Sequence, residues 1–257
     1  MRKDALTIVL ITAVAGIFGG FLRWLQRMNA FEAGTGLPVR GAATSVVFAL
    51  YLLLCAALFL AVTVLLKKNF SFPAERSAAL RASTVLPGLL SRVCGAVMAV
   101  VCVLIMFRAG GERYPMLTRV FAAGGILGGA GLLLGMDVGS GKEGAAFPSL
   151  LPVIFGCLWV LCCYKDNADN PVLWAFVPEL LAAAAATMAW YETAAYYYGK
   201  AKPAEALFFL QAAGMMNICA LADERALPMQ ALLAVNAAMA LLLEYLLVEN
   251  LQSLPED

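Results

Sequence analysis

Eight runs of apolar residues, each 17 to 28 residues long, follow one another along this 257-residue chain with short polar connections between them. They are Ala5–Met28, Ala43–Leu66, Pro87–Phe107, Met116–Met136, Pro148–Tyr164, Pro171–Tyr198, Glu205–Ala222 and Pro228–Asn250. A helix rises 1.5 Å per residue, so about 20 residues cross a hydrocarbon layer ~30 Å thick. Lipid offers backbone amides no water partners, and each run must therefore close its own hydrogen bonds as a helix. Composition agrees: 63% of residues are apolar and 14% charged, where water-soluble domains carry about 45–50% and about 25%. The sequence predicts an all-α integral membrane protein, a single domain over residues 1–257 built as a bundle of about eight transmembrane helices.

Punctuation supports this division. Pro87, Pro148, Pro171 and Pro228 each open a run, where a missing N–H costs nothing. Trp24, Trp159, Tyr164, Trp174, Trp190, Tyr191 and Tyr196 to Tyr198 fall where helix ends should meet headgroups. The sixth run would measure ~42 Å as a helix and would have to tilt or project its tyrosine end from the membrane. Arg2 and Lys3 before an apolar run resemble a signal peptide, but the run is long enough to span, which favours an uncleaved first helix.

Nine Lys and Arg lie at the N-terminus and in even-numbered connections, against seven in odd ones, with Arg92 and Arg119 inside spans. The inside-positive tendency then places both termini in the cytoplasm of a bacterial cell membrane. The second connection, Lys67 to Leu86, is the most basic. It reads either as a solvated link or as a short helix from Pro73 lying on anionic headgroups. Pro73-Ala74-Glu75 and Pro203-Ala204-Glu205 hint at a four-plus-four duplication, but the flanking helices do not keep the same offset and coincidence is the better reading.

Several chemistries are excluded. The chain has no histidine, which removes histidine-ligated haem, the usual zinc sites and Ser-His-Asp or Cys-His catalysis. Every lysine lies outside the spans, so no Schiff-base lysine is available. The seven cysteines form no C-x-x-C pair and sit in apolar stretches, where free Cys acts as a small hydrophobe. A net charge of +1 implies no nucleic-acid role. No cofactor is expected. Gly135 to Lys142 resembles a phosphate-binding loop only in part: Met136 and Glu143 replace required residues, and a membrane helix precedes it.

Polar groups inside the spans carry the functional signal, since a charge at a helix centre costs roughly 2.5–3.5 kcal/mol on insertion scales and such groups usually face the bundle interior. Arg92, Glu192 and Glu244 share one level near the cytoplasmic ends, where an arginine between two glutamates would offset desolvation. Arg23, Arg119 and Glu179 are similarly matched on the outer side, with Asn217 and Asn236 between that layer and the midplane and Gln211 as a further polar position. These eight charged and asparagine residues are the candidate lining of a polar cavity. Glu179, following Pro178 within the sixth run, is the strongest single candidate for a binding carboxylate. The structural alternative is a set of ion pairs and snorkelling arginines that fix packing.

Small residues at i, i+4 recur as Gly124/Gly128, Gly125/Gly129 and Gly131/Gly135 in the fourth run, as Gly16/Gly20 in the first and as Ala182 to Ala186 in the sixth. They let helix backbones approach closely. Packing within one chain is the simpler expectation; a homo-oligomer through the glycine-rich fourth helix is the sharper one.

The first helix ends in Arg-Trp-Leu-Gln, and the connection after it contains Phe31-Glu32-x-x-Thr35-Gly36-Leu37-Pro38. Over these ~20 residues the chain resembles uncharacterised multi-pass membrane proteins of anaerobic, Gram-positive-type bacteria. The resemblance implies a multi-pass membrane protein and brings no activity, substrate or site; it hints at a loop that does more than connect, but a simple turn built on Gly34, Gly36 and Pro38 is the better reading. The expected partners are membrane lipids and a small solute. The leading expectation is a small transporter or membrane-embedded binding protein for a small or amphipathic solute. The alternatives are an accessory or scaffold membrane subunit and, third, a lipid-acting enzyme using carboxylates alone.

Overall fold

In the computed structural model, residues 3–32, 34–73, 75–82, 84–134 and 146–253 are described. Helices occupy α1 (Lys3–Asn29), α2 (Ala43–Asn69), α3 (Arg76–Ala79), α4 (Leu86–Arg108), α5 (Pro115–Leu134), α6 (Ala146–Asp166), α7 (Val177–Tyr197), α8 (Pro203–Ala220) and α9 (Leu227–Glu249). Two short strands, β1 (Phe70–Ser71) and β2 (Gln252–Ser253), pair antiparallel. All eight apolar runs have become long helices, with α3 added in the second connection. The chain is an all-α, multi-pass membrane protein.

Six of the long helices, α1, α2, α4, α5, α6 and α9, are long and apolar enough to cross a membrane. α7 and α8 fall outside that set, and their position explains it. α8 packs on α1, α2, α7 and α9 and buries eleven of its 18 residues, Gln211 and Asn217 among them. A helix enclosed by other helices meets little lipid and can carry polar groups that satisfy its neighbours. α2 shows the opposite balance, with four buried residues in 27 and a surface of exposed Leu and Val suited to acyl chains.

Close helix approach comes from the glycines. A side chain on Gly129 would strike the backbone of Gly95 and Ala99 in α4. One on Gly124, Gly128 or Gly131 would strike α6 at Leu158, Phe155 or Leu151. The α5 glycines are thus filled by α4 and α6 of the same chain, and a second copy would have to meet α5 elsewhere; Gly135 lies outside the described residues, as does the loop to Lys142. Gly16 fits α1 onto Ile218 of α8 in the same way, whereas a side chain on Gly20 would make only ordinary contact with Cys219 and Ala222.

The boundaries differ from expectation chiefly at the sixth run. Pro171 lies outside the helix, a 3-10 turn occupies Leu173–Ala175, and Pro178 stands in the first turn of α7. The 28-residue run becomes a 21-residue helix of ~32 Å, so no overlong span has to tilt. Pro178 therefore starts the helix rather than bending it, and Glu179 sits in the first turn, where the helix dipole favours negative charge.

The second connection holds a short helical turn and is tied back onto the end of the bundle. α3 is a single turn whose Ala79 is buried with Leu80. The Asn250 side chain donates to the carbonyls of Ala79 and Arg81, Arg76 stacks on the Tyr197 ring at 4.7 Å, and the β1–β2 pair closes the same end. Pro73 precedes this single turn while Pro203 opens an 18-residue helix, so the two Pro-Ala-Glu segments are not equivalent; Ala74 itself lies outside the described residues.

Candidate functional site

Alternation of the long helices brings the ends of α1, α4, α6 and α8 to one end of the bundle, with the starts of α2, α5, α7 and α9. A charged layer forms there. Arg23, in the last third of α1, donates from Nε to Asp223 Oδ1 at 2.7 Å, and the two side chains are 2% and 5% exposed. Its Nη1 donates to Gln26 Oε1 at 2.7 Å, and the Gln26 amide continues to Ser45 Oγ on α2 at 3.1 Å. Arg27 pairs with Glu224 at 3.0 Å and donates to the carbonyl of Ala222.

The second centre lies on α7. Glu179 accepts from Arg225 Nε at 3.0 Å through Oε2 and from the Trp159 indole at 3.2 Å through Oε1. Arg225 also donates to the carbonyl of Ala175. Glu179 is 8% exposed and Arg225 27%: the carboxylate is fixed from behind, while the guanidinium reaches toward water.

A cavity of about 360 Å³ opens beside this pair. Its inner wall is Trp159, Phe121 and Met229, the pair itself forms one side, and Arg108, Glu112 and Asp166 stand around it. Phe121 and Trp159 meet edge to face with ring centres 6.1 Å apart, which holds the apolar wall rigid. A second cavity of about 470 Å³ shares Arg225 and is lined by Arg23, Arg27, Asp223 and the first connection.

That connection is the segment with the Phe-Glu-x-x-Thr-Gly-Leu-Pro pattern. Phe31 and Pro38 face each other as an antiparallel bridge. The Thr35 hydroxyl donates to Glu32 Oε2 at 2.6 Å and accepts from the Leu37 amide, and Gly36 takes φ +65°, a conformation glycine adopts without steric cost. Phe31, Thr35 and Gly36 line the second cavity.

The residues expected to line one polar cavity separate into three groups. Arg23 and Glu179 belong to the charged end, in different pairs. Arg119 is exposed on α5 and does not join them. Arg92 is likewise exposed on α4, whereas Glu192 and Glu244 are 2% and 0% exposed, so the expected arginine between two glutamates does not form. Both arginines stand on outward-facing positions, as long side chains able to snorkel can. Glu244, Gln211, Asn217 and Asn236 lie in the packed interior. Asn217 donates to the carbonyls of Ala182 and Ala213. Asn236 donates to Leu232 and accepts from the Trp190 indole at 3.0 Å.

Two tryptophans expected in the interfacial belt are buried instead, Trp159 at 1% and Trp190 at 4% exposed. Each spends its indole N–H on a buried polar side chain, which is what permits an indole so deep in the core. Trp24 is exposed as the belt requires. The residues that sequence reasoning missed are Asp223 and Arg225. Both lie in the connection before α9, where the three consecutive charged residues Asp223, Glu224 and Arg225 read as solvated.

Among the described residues no group of three or more Cys, Asp or Glu is placed to hold a metal ion. Comparison with protein-family models, with curated proteins and with solved structures finds no match to the chain.

Proposed function

We propose that the protein is a membrane-embedded binding protein or small transporter that takes a small amphipathic solute into the cavity beside Glu179 and Arg225. The carrying observation is the pairing of a half-enclosed cavity of about 360 Å³ with an ion pair whose acid is nearly buried and whose base is partly exposed. Ligand pockets typically measure about 300–1,000 Å³ and combine an apolar wall with a few placed polar groups. Here Trp159, Phe121 and Met229 receive the apolar part, while Arg225 can turn from Glu179 to an anionic group without leaving Glu179 bare, since Trp159 still donates to it.

This reading takes α7 and α8 as spans as well, giving eight, in a bacterial cytoplasmic membrane with both termini inside. Their lengths, ~32 and ~27 Å, suit the ~30 Å hydrocarbon layer. The charged end then faces outward, and the cavity opens to the extracellular side.

A cavity-filling substitution tests the assignment. Ala226 lines the cavity at an exposed position, so A226W blocks it without loading the core. Native mass spectrometry of detergent-purified wild type is expected to show a retained small molecule that A226W and R225Q have lost. Identical spectra for all three proteins refute the proposal.

An accessory subunit is the second reading, and the Arg23–Asp223 pair favours it. Closed from solvent on both sides, that pair ties α1 to the α8–α9 connection and serves packing. Under this reading A226W changes nothing, and a protein partner co-purifies.

A further inference from the structure

Glu244 of α9 is 0% exposed and lies among α1, α4, α7 and α8, far from the charged end. The Thr12 hydroxyl of α1 donates to its Oε1 at 2.8 Å, while Oε2 has no hydrogen-bond partner. Gln211 of α8, also 0% exposed, is close enough to act on the same carboxyl, yet neither its Oε1 nor its Nε2 completes a hydrogen bond. Among the described residues no charged group acts on Glu244 from any packed element. Arg92 of α4 is exposed, and Glu192 of α7 takes its electrostatic influence from Glu205 and Lys202.

Hydrogen bookkeeping shows what is missing. An ionised carboxylate without a cationic partner is too costly to keep in such surroundings. One hydrogen on Oε2 removes the charge and supplies a donor for Gln211 Oε1, so two unpaired oxygens become one hydrogen bond. When that proton leaves to water, rotation of the Gln211 amide by half a turn presents Nε2–H to the carboxylate. Thr12 donates in both states. A residue able to serve either state is what a reversible proton site needs, and a glutamine provides it where leucine could not.

We propose that Thr12, Gln211 and Glu244 form a proton-binding site inside the bundle, with Glu244 as the carrier and Gln211 as the partner that accommodates both of its states. The site is independent of the solute cavity and does not rest on it.

Infrared spectroscopy of the protein in lipid vesicles tests this with the proton itself as probe. The wild-type minus E244Q spectrum should contain a protonated-carboxyl band at neutral pH that shifts on transfer to D₂O and disappears on raising the pH. E244Q keeps the shape of the protonated acid and should fold. Hydrogen bonds to charged groups are worth more than those to neutral ones, so Q211L should empty only at about tenfold lower proton concentration. A Glu244 ionised at neutral pH, with a spectrum that responds to sodium chloride but not potassium chloride, would mean a sodium site and overturn the proposal. A protonated band that neither exchanges in D₂O over a day nor titrates in the folded protein would mean a purely structural acid, and overturns it equally.

Discussion

Arg23 and Asp223 lie two hundred positions apart in the chain and meet at 2.7 Å with almost no access to solvent. The contact ties the first long helix to the last connection. Removing one partner of a buried pair leaves an uncompensated charge, whereas replacing both with apolar residues is often neutral. D223A should therefore lower unfolding stability in detergent by about 3–5 kcal/mol, and R23M/D223L should restore most of it. A D223A protein that unfolds with wild type would show that Arg23 finds water or another acceptor.

The glycine seam gives a packing prediction. G129L forces a side chain into the backbone of α4 and should cost at least ~1–3 kcal/mol, as overpacking does. Gly110 has nothing within 4 Å of its would-be side chain, so G110A should stay within ~0.5 kcal/mol of wild type. Thermal unfolding of both variants checks the contrast, and equal melting temperatures would refute the internal seam.

Trp190 and Asn236 form a buried hydrogen bond between α7 and α9. Interhelical bonds of this kind couple by about 0.6–1.7 kcal/mol in membranes. In a double-mutant cycle of W190F and N236L, the doubly substituted protein should lose less stability than the two single losses added together. Strict additivity would mean that the indole and the amide do not depend on each other.

Topology is open to chemical labelling. In a C157S background, D169C and E224C should react with a membrane-impermeant maleimide on intact cells, and K202C only after permeabilisation. Reaction of all three from one side would show that α7 and α8 do not both cross. Reaction of K202C alone would invert the orientation.

How much of this was legible follows from range of interaction. The long helices were visible because each closes its hydrogen bonds within itself and its solvent selects apolar residues position by position. Glu179 stood out for the same local reason, as an acid in a greasy run. Its partner did not. Arg225 sits in a short charged connection, and nothing local distinguishes a guanidinium that bends back onto α7 from one left in water. Arg92 and Arg119 misled in the opposite sense: depth along a helix is legible, but the direction a side chain faces depends on which neighbours surround that helix.

By itself the sequence determined the solvent of this protein, the helices that solvent demands and the chemistries that an absence of histidine removes. The tertiary structure alone decided which polar groups meet: Arg23 with Asp223, Glu179 with Arg225 and Trp159, Glu244 with Thr12. Hydrophobic matching to lipid acts on each residue separately and leaves its record in the order of residues. Ion pairs and hydrogen bonds between helices are made across the bundle, where separation along the chain carries no information about separation in space.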